Sequence, residues 1–288
     1  MTFHRFPLPR LIAVVMGLSL STIAYAQTAT PSGPSLPEAP SASVFPDTNL
    51  NPPSSDDSST TTSSGSQPGI VRRSVGRILD DQKNLYLAPF KPSNLKWDAA
   101  LLIGTGALLA ADRTINSNLS TAHFNAYQNT SDALIGGLSA SLVGLWAYGI
   151  KTDNPHAKET GELELEALSN TFLIYAPMQL IAGRQRPGEG NGNGDFLQHH
   201  AINTSFPAGH AMFSWTMASV VAHEYPKPWV QFLAYGTAAS ITATRFLAHD
   251  HWASDSLVGS SLGFAIGTYI FHSRCDPDLS PSCHRHRK

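Results

Sequence analysis

Thr244-Arg-Phe-Leu-Ala-His-Asp-His-Trp-Ala-Ser-Asp255 sets an arginine, a histidine and a carboxylate at fixed intervals where two apolar stretches meet. If a helix begins here, His251 and Asp255, four residues apart, share a face. The carboxylate then accepts a hydrogen bond from one ring nitrogen and leaves the other free. The flanking stretches 229–248 and 254–272 have helical length, and so do 97–111, 133–150, 163–182 and 211–224. Polar or turn-forming breaks separate them: Asn116 to Asn129, Thr152 to Pro155, Gly188 to Asn203, and Pro226 to Pro228. With no sustained apolar/polar alternation to suggest a sheet, the pattern predicts an all-α helical bundle of about six main helices.

The chain has 288 residues and a net charge of −2, which argues against a nucleic-acid partner held by a basic surface. Charged residues make up 14%, below the roughly 25% usual in soluble domains, a balance that leans toward buried helices or a membrane surface. The stretches Ala99 to Ala111 and Ala211 to Ala222 are short for a span of about 20 residues, whereas 133–150 and 256–271 come closer. A soluble periplasmic bundle and an integral membrane bundle both stay open.

Residues 1–26 read as a secretory signal: Arg5 and Arg10 precede the apolar run Leu11 to Leu20, and Ala24-Tyr-Ala26 resembles a cleavage site. Residues 27–70 read as a disordered Pro/Ser/Thr-rich linker with too little apolar surface to offset ordering. The helical domain is assigned to 71–272 and a polar tail to 273–288. The expected location is the periplasm or the cell-envelope membrane, with the active site on the non-cytoplasmic side. In that compartment Cys275 and Cys283, the only two cysteines, are expected to form a disulfide.

Two upstream segments complete a chemical set: Arg184-Gln-Arg-Pro187 and Phe206-Pro-Ala-Gly-His210. A phosphate ester repels nucleophiles through its negative oxygens, so a site must neutralise them, align a nucleophile and protonate the leaving oxygen. Arg186 and Arg245 suit the first task, because a guanidinium forks onto phosphate oxygens. Backbone N–H groups of Ala208, Gly209 and His210, where a helix begins after Pro207, add an anion position. His251, oriented by Asp255, is the candidate nucleophile, and His210 the candidate acid.

The segments together resemble the type 2 phosphatidic acid phosphatase superfamily, which includes bacterial class A acid phosphatases and vanadium haloperoxidases. The family signature is Lys-x6-Arg-Pro, Pro-Ser-Gly-His and Ser-Arg-x5-His-x3-Asp. Here it is met by Gln179 to Pro187, Pro207-Ala-Gly-His210 and Thr244 to Asp255. The resemblance covers about residues 95–272. It implies an α-helical bundle, a phosphohistidine at His251 oriented by Asp255, His210 as general acid, and Arg186 and Arg245 holding the phosphate. It also implies no metal and no other cofactor, and a phosphorylated lipid, polyprenyl diphosphate or small phosphoester as substrate.

Three positions depart from the signature. Gln179 stands for the lysine and brings no charge, Ala208 replaces the serine hydroxyl, and Thr244 keeps a hydroxyl. Gln179 is retained as a phosphate-site residue able to donate a hydrogen bond. Loss of a charged contact could cost a few kcal/mol of transition-state stabilisation, roughly a hundredfold in rate. Arg184, two residues before Arg186, would point elsewhere on a helix. The competing readings are a catalytically weak or inactive phosphate- or phospholipid-binding protein on the same scaffold, and a metal site on His249, His251 and Asp255.

Overall fold

A computed structural model describes residues 70–198 and 201–283. The expected signal over 1–26, the linker up to residue 69 and the last five residues of the tail lie outside them. Among the described residues there are seven α-helices and no strand. They are α1 (Ile70–Leu87), α2 (Leu95–Ser117), α3 (Phe124–Lys151), α4 (Pro155–Ala182), α5 (Gly209–Glu224), α6 (Pro228–Leu247) and α7 (Ala253–Arg274). The all-α expectation holds, with α1 as an element the apolar pattern did not announce. Its amphipathic sequence meets α4 through Gln82, whose amide donates to Asn170 Oδ1 at 2.7 Å, and meets α7 through Asp81 and Arg274 at 2.7 Å.

α5 is the central helix, and α7 lies directly on it because glycines let the two backbones approach. A Cβ on Gly259, Gly263 or Gly267 would fall 2.5, 2.1 or 2.5 Å from the carbonyl oxygen of Ala208, Met212 or Thr216 respectively. The four-residue spacing on each helix puts each set on one face. Side-chain hydroxyls then cross the seam: Thr216 donates to Gly263 O at 3.2 Å and Ser219 to Phe264 O at 3.2 Å. The stretch 256–271, which approaches membrane length by sequence, is therefore an interior helix matched to a protein neighbour.

α3 has the opposite character. It is the one described helix long and apolar enough to cross a membrane, with mean hydropathy 1.6 over 18 residues of which 6% are buried. Val143, Trp146, Tyr148 and Ile150 stay exposed on it, as do Leu102 and Ile103 on α2. α3 starts at Phe124, nine residues before the apolar run suggested, because Ser131 and Asp132 in its first turns face a polar partner inside the protein.

Helix ends carry the site. α4 begins with Asn154, whose side chain accepts from Ala157 N–H at 3.0 Å, and stops at Gly183 in the left-handed region, φ 50°. The expected disulfide is present: Cys275 and Cys283 are bonded, with Cα atoms 5.8 Å apart, and tie the tail to the end of α7.

Candidate active site

The segment after α4 turns Arg184 inward and Arg186 toward the edge of the site. Just before it, Gln179 is fully buried and committed to the 204–207 turn. Its Nε2 donates to Pro207 O at 2.8 Å, and its Oε1 accepts from Thr204 N–H and Oγ1, both at 2.6 Å. The phosphate contact expected of Gln179 is thus replaced by a structural one. A neutral amide can both donate and accept, so it pins the 204–207 turn on which α5 begins.

Arg184 is buried and points elsewhere than Arg186, as expected, although it lies just past the helix end. Its guanidinium donates to Asp112 at 2.8 Å, to Ser254 Oγ at 2.8 Å and to Asp255. The rings of Phe196 and Trp252 lie 4.9 and 5.1 Å from it. Asp112 also accepts from Ser254 N–H at 3.1 Å, so two carboxylates cap the start of α7, where helix N–H groups favour negative charge.

Asp255 lies in the first turn of α7. It accepts from Arg184, from the Ser205 hydroxyl and from Trp252 N–H at 3.2 Å. Its backbone carbonyl accepts from Ala208 N–H at 3.2 Å. Burial raises its pKa to about 6 against the pull of Arg184 and Ser205. The direct Asp255–His251 hydrogen bond expected from the four-residue spacing is not the arrangement found: His251 precedes α7, and its Nδ1 is 2.8 Å from Ser205 O.

A carbonyl can only accept, so His251 Nδ1 carries the proton and the Nε2 lone pair is left for chemistry. Burial first, and the Arg186 charge next, push His251 down to about 3. The ring is therefore neutral across ordinary pH, as a nucleophile requires. His249, two residues earlier, has φ 53° and turns its Nδ1 to Asn116 Oδ1 at 2.7 Å. His249 thus has a different partner from His251 and Asp255, which meet at Ser205. Among the described residues no group of three or more His, Cys, Asp or Glu is arranged to hold a metal ion.

Arg245, in the last turn of α6, lies against His210, in the first turn of α5, with its NH2 2.8 Å from His210 Nε2. The same guanidinium donates to Ser131 Oγ at 2.9 Å, to Asp250 at 2.6 Å and to Asp132. Asp250 also accepts from Arg186 at 3.3 Å, and Arg186 reaches Asn203 Oδ1 at 2.5 Å. His210 is pushed down to about 4 by burial and then by Arg245, while Asp132 and Asp250 pull the other way.

The structure therefore brings Arg186, Arg245, His210 and His251 into one electrostatic cluster, with Ala208 and Gly209 at the start of α5. Asp255 stands one residue removed, behind Ser205, and Gln179 stands behind the turn. Sequence reading missed Asp112, Asp132, Asp250 and Ser205. The available signal was weak: Asp112 and Asp132 each bound a long uncharged stretch, 99–111 and 133–150.

A sequence profile described as the PAP2 superfamily matches residues 165–276, the span from mid-α4 to just past α7. The chain is similar to lipid A 1-phosphatase of Porphyromonas gingivalis, with 32% identity over 65 residues, 22% of this chain. The similarity spans 15% of that relative's length. No solved structure matches.

Proposed function

On the footing that this chain carries a PAP2 superfamily domain over residues 165–276, we propose that it is a phosphatase acting through His251. The observation that carries the reading is the tautomer of His251. Its Nδ1 proton is spent on Ser205 O, which leaves a neutral Nε2 beside the charges of Arg186 and Arg245.

In the reaction, Nε2 bonds to phosphorus as the bond to the leaving oxygen breaks, and His210 gives that oxygen a proton. Water then attacks phosphorus, the N–P bond breaks, and His210 takes the water's proton. Arg186, Arg245 and the N–H groups of Gly209 and His210 hold the phosphoryl oxygens, the Ala208 N–H being taken by Asp255 O. In the resting protein His210 Nε2 accepts from Arg245, so it gains its proton when the phosphoryl group brings negative charge alongside. No metal or other cofactor enters these steps.

The substrate class is a phosphomonoester or diphosphate, with a lipid favoured. The relative is named as a lipid A phosphatase, and α2 and α3 present apolar faces outward, as association with a lipid surface requires. The disulfide between Cys275 and Cys283 suits an oxidising compartment outside the cytoplasm.

The test is phosphate release from an aryl phosphate and from a short-chain phosphatidic acid, comparing the wild type with His251→Ala and His210→Ala. Release that vanishes in His251→Ala supports the reading, and the ratio of rates begins to place the substrate. Release unaffected by either substitution overturns it. Phosphate bound but never released from an ester would instead favour a binding protein on this scaffold.

A further inference from the structure

Both phosphate-site arginines spend donors on the protein itself. Arg245 gives its Nε to Ser131, one terminal nitrogen to Asp250, and the other to Asp132 and His210. Arg186 gives its terminal nitrogens to Asp250 and Asn203. Four of the five Arg245 N–H groups are thus engaged, and a phosphoryl group can fork onto that guanidinium only by displacing an acceptor.

The acceptors differ in how firmly they are held. The Asp250 side chain is 7% exposed, it bridges both arginines, and its backbone N–H donates to Arg245 O at 3.1 Å. Ser131 is buried. The Asp132 side chain is 57% exposed, and the contacts shown for it run to Arg245 and, at 3.8 Å, to His210. A carboxylate that exposed loses little solvation on turning outward, since ion pairs at an exposed position are held by only about 1 kcal/mol. Asp132 is therefore the acceptor that yields.

We propose that Asp132 is an internal competitor for the phosphate site: it occupies the phosphoryl position on Arg245 in the resting protein, and an anion binds there by displacing it. A dianionic phosphoryl group brings more charge and a third acceptor oxygen, so the exchange favours it. A monoanionic phosphodiester offers Arg245 the same charge as Asp132 and gains nothing by replacing it. Moving Asp132 costs either anion the same, so it lowers both affinities by one factor and the dianion keeps its advantage. This rests on the phosphatase reading of the same site, because Arg245 must be a phosphate ligand for Asp132 to compete there.

The experiment measures binding of inorganic phosphate and of dimethyl phosphate to the full chain at pH 8, where phosphate is a dianion. The proteins compared are the wild type, Asp132→Asn, Asp132→Ala and Arg245→Ala. Asp132→Asn keeps the side-chain shape and removes the charge. Phosphate should bind about three- to tenfold more tightly to it. Dimethyl phosphate should gain by a similar factor, and Asp132→Ala should follow the same direction. Unchanged or weaker phosphate binding in both Asp132 variants, with binding still lost in Arg245→Ala, overturns the proposal and leaves the phosphatase reading standing. Phosphate bound equally well by Arg245→Ala and wild type overturns the underlying reading as well.

Discussion

Asp255 reaches His251 through Ser205: the Ser205 hydroxyl donates to the Asp255 carboxylate, while the carbonyl of the same residue takes the Nδ1 proton of His251. The carboxylate that the four-residue spacing assigns to the histidine ring instead locks the turn that presents the histidine's acceptor. Because a carbonyl does this work, the side chain of Ser205 can be changed without removing the partner of His251.

Ser205→Ala is accordingly expected to lower stability by about 1.5–3 kcal/mol, the range for a hydrogen bond to a charged group. The kcat should fall by less than tenfold. Asp255→Ala removes the partner of Arg184 and Ser205 together, and should reduce both stability and kcat more severely. Thermal unfolding beside phosphate-release kinetics separates the two. Loss of kcat in Ser205→Ala as deep as in Asp255→Ala would show that the hydroxyl itself orients the ring.

Much of this arrangement was legible in the sequence, and the rest was hidden for a physical reason. Apolar stretches at 211–224, 229–248 and 254–272 mark α5, α6 and α7 closely, and Arg186, His210, Arg245 and His251 do converge. The start of α3 was not legible, because its first residues fall in the polar stretch Asn116 to Asn129, and Ser131 and Asp132 find their partner in Arg245, 114 and 113 residues later. Gln179 is a second case: a side-chain amide serves a ligand or a backbone turn equally well, and sequence cannot say which way it points. Arg184 is the third, since its two carboxylates come 72 residues earlier and 71 residues later.

Arg184→Ala should be among the most destabilising single changes in the domain. It would leave Asp112 and Asp255, both buried, without their shared cation. Breaking such a pair by removing one partner costs about 3–5 kcal/mol. Urea unfolding followed by circular dichroism measures it, and a change under 1 kcal/mol would mean that water relieves the two carboxylates.

Gly263→Ala tests the seam between α5 and α7. The added methyl would fall 2.1 Å from Met212 O, so the helices must part. Overpacking of this kind costs about 1–3 kcal/mol, and the upper end is expected against rigid backbone. Gly236→Ala is the control, since a Cβ there meets nothing within 4 Å. The two variants should differ in unfolding midpoint, with Gly236→Ala at or above the wild type.

Glu164 makes stability depend on pH at the end of the bundle away from the site. It is fully buried, both its oxygens lack a hydrogen-bond partner, and burial followed by the nearby Glu224 charge raises its pKa well above 4.5. The folded protein therefore keeps a proton that the unfolded chain releases above about pH 4.5. Stability is greatest below that pH and falls as pH rises toward the folded pKa, by at most about 1.4 kcal/mol per unit. Glu164→Gln should be of similar stability to the wild type at pH 4 and more stable at pH 8. Parallel pH dependences in the two proteins would exclude Glu164 as the source.

The two histidines fix where activity lies on the pH scale. His251 must be neutral to attack, and burial and Arg186 bring it to about 3; His210 must be protonated to serve as acid, and burial and Arg245 bring it to about 4. Because kcat/KM reports the free enzyme, it should rise to a maximum near pH 3–4 and fall as pH increases toward 8. Bound substrate places negative charge beside His210 and favours its proton, so the falling limb of kcat should lie at higher pH than that of kcat/KM. Asp132→Asn removes a charge that raises the His210 pKa, and should move the falling limb of kcat/KM further down. Profiles of both parameters for wild type, Asp132→Asn and His210→Gln decide the matter: the falling limb belongs to His210 only if His210→Gln abolishes it. A kcat/KM that is flat from pH 4 to 8 would assign the proton to another group.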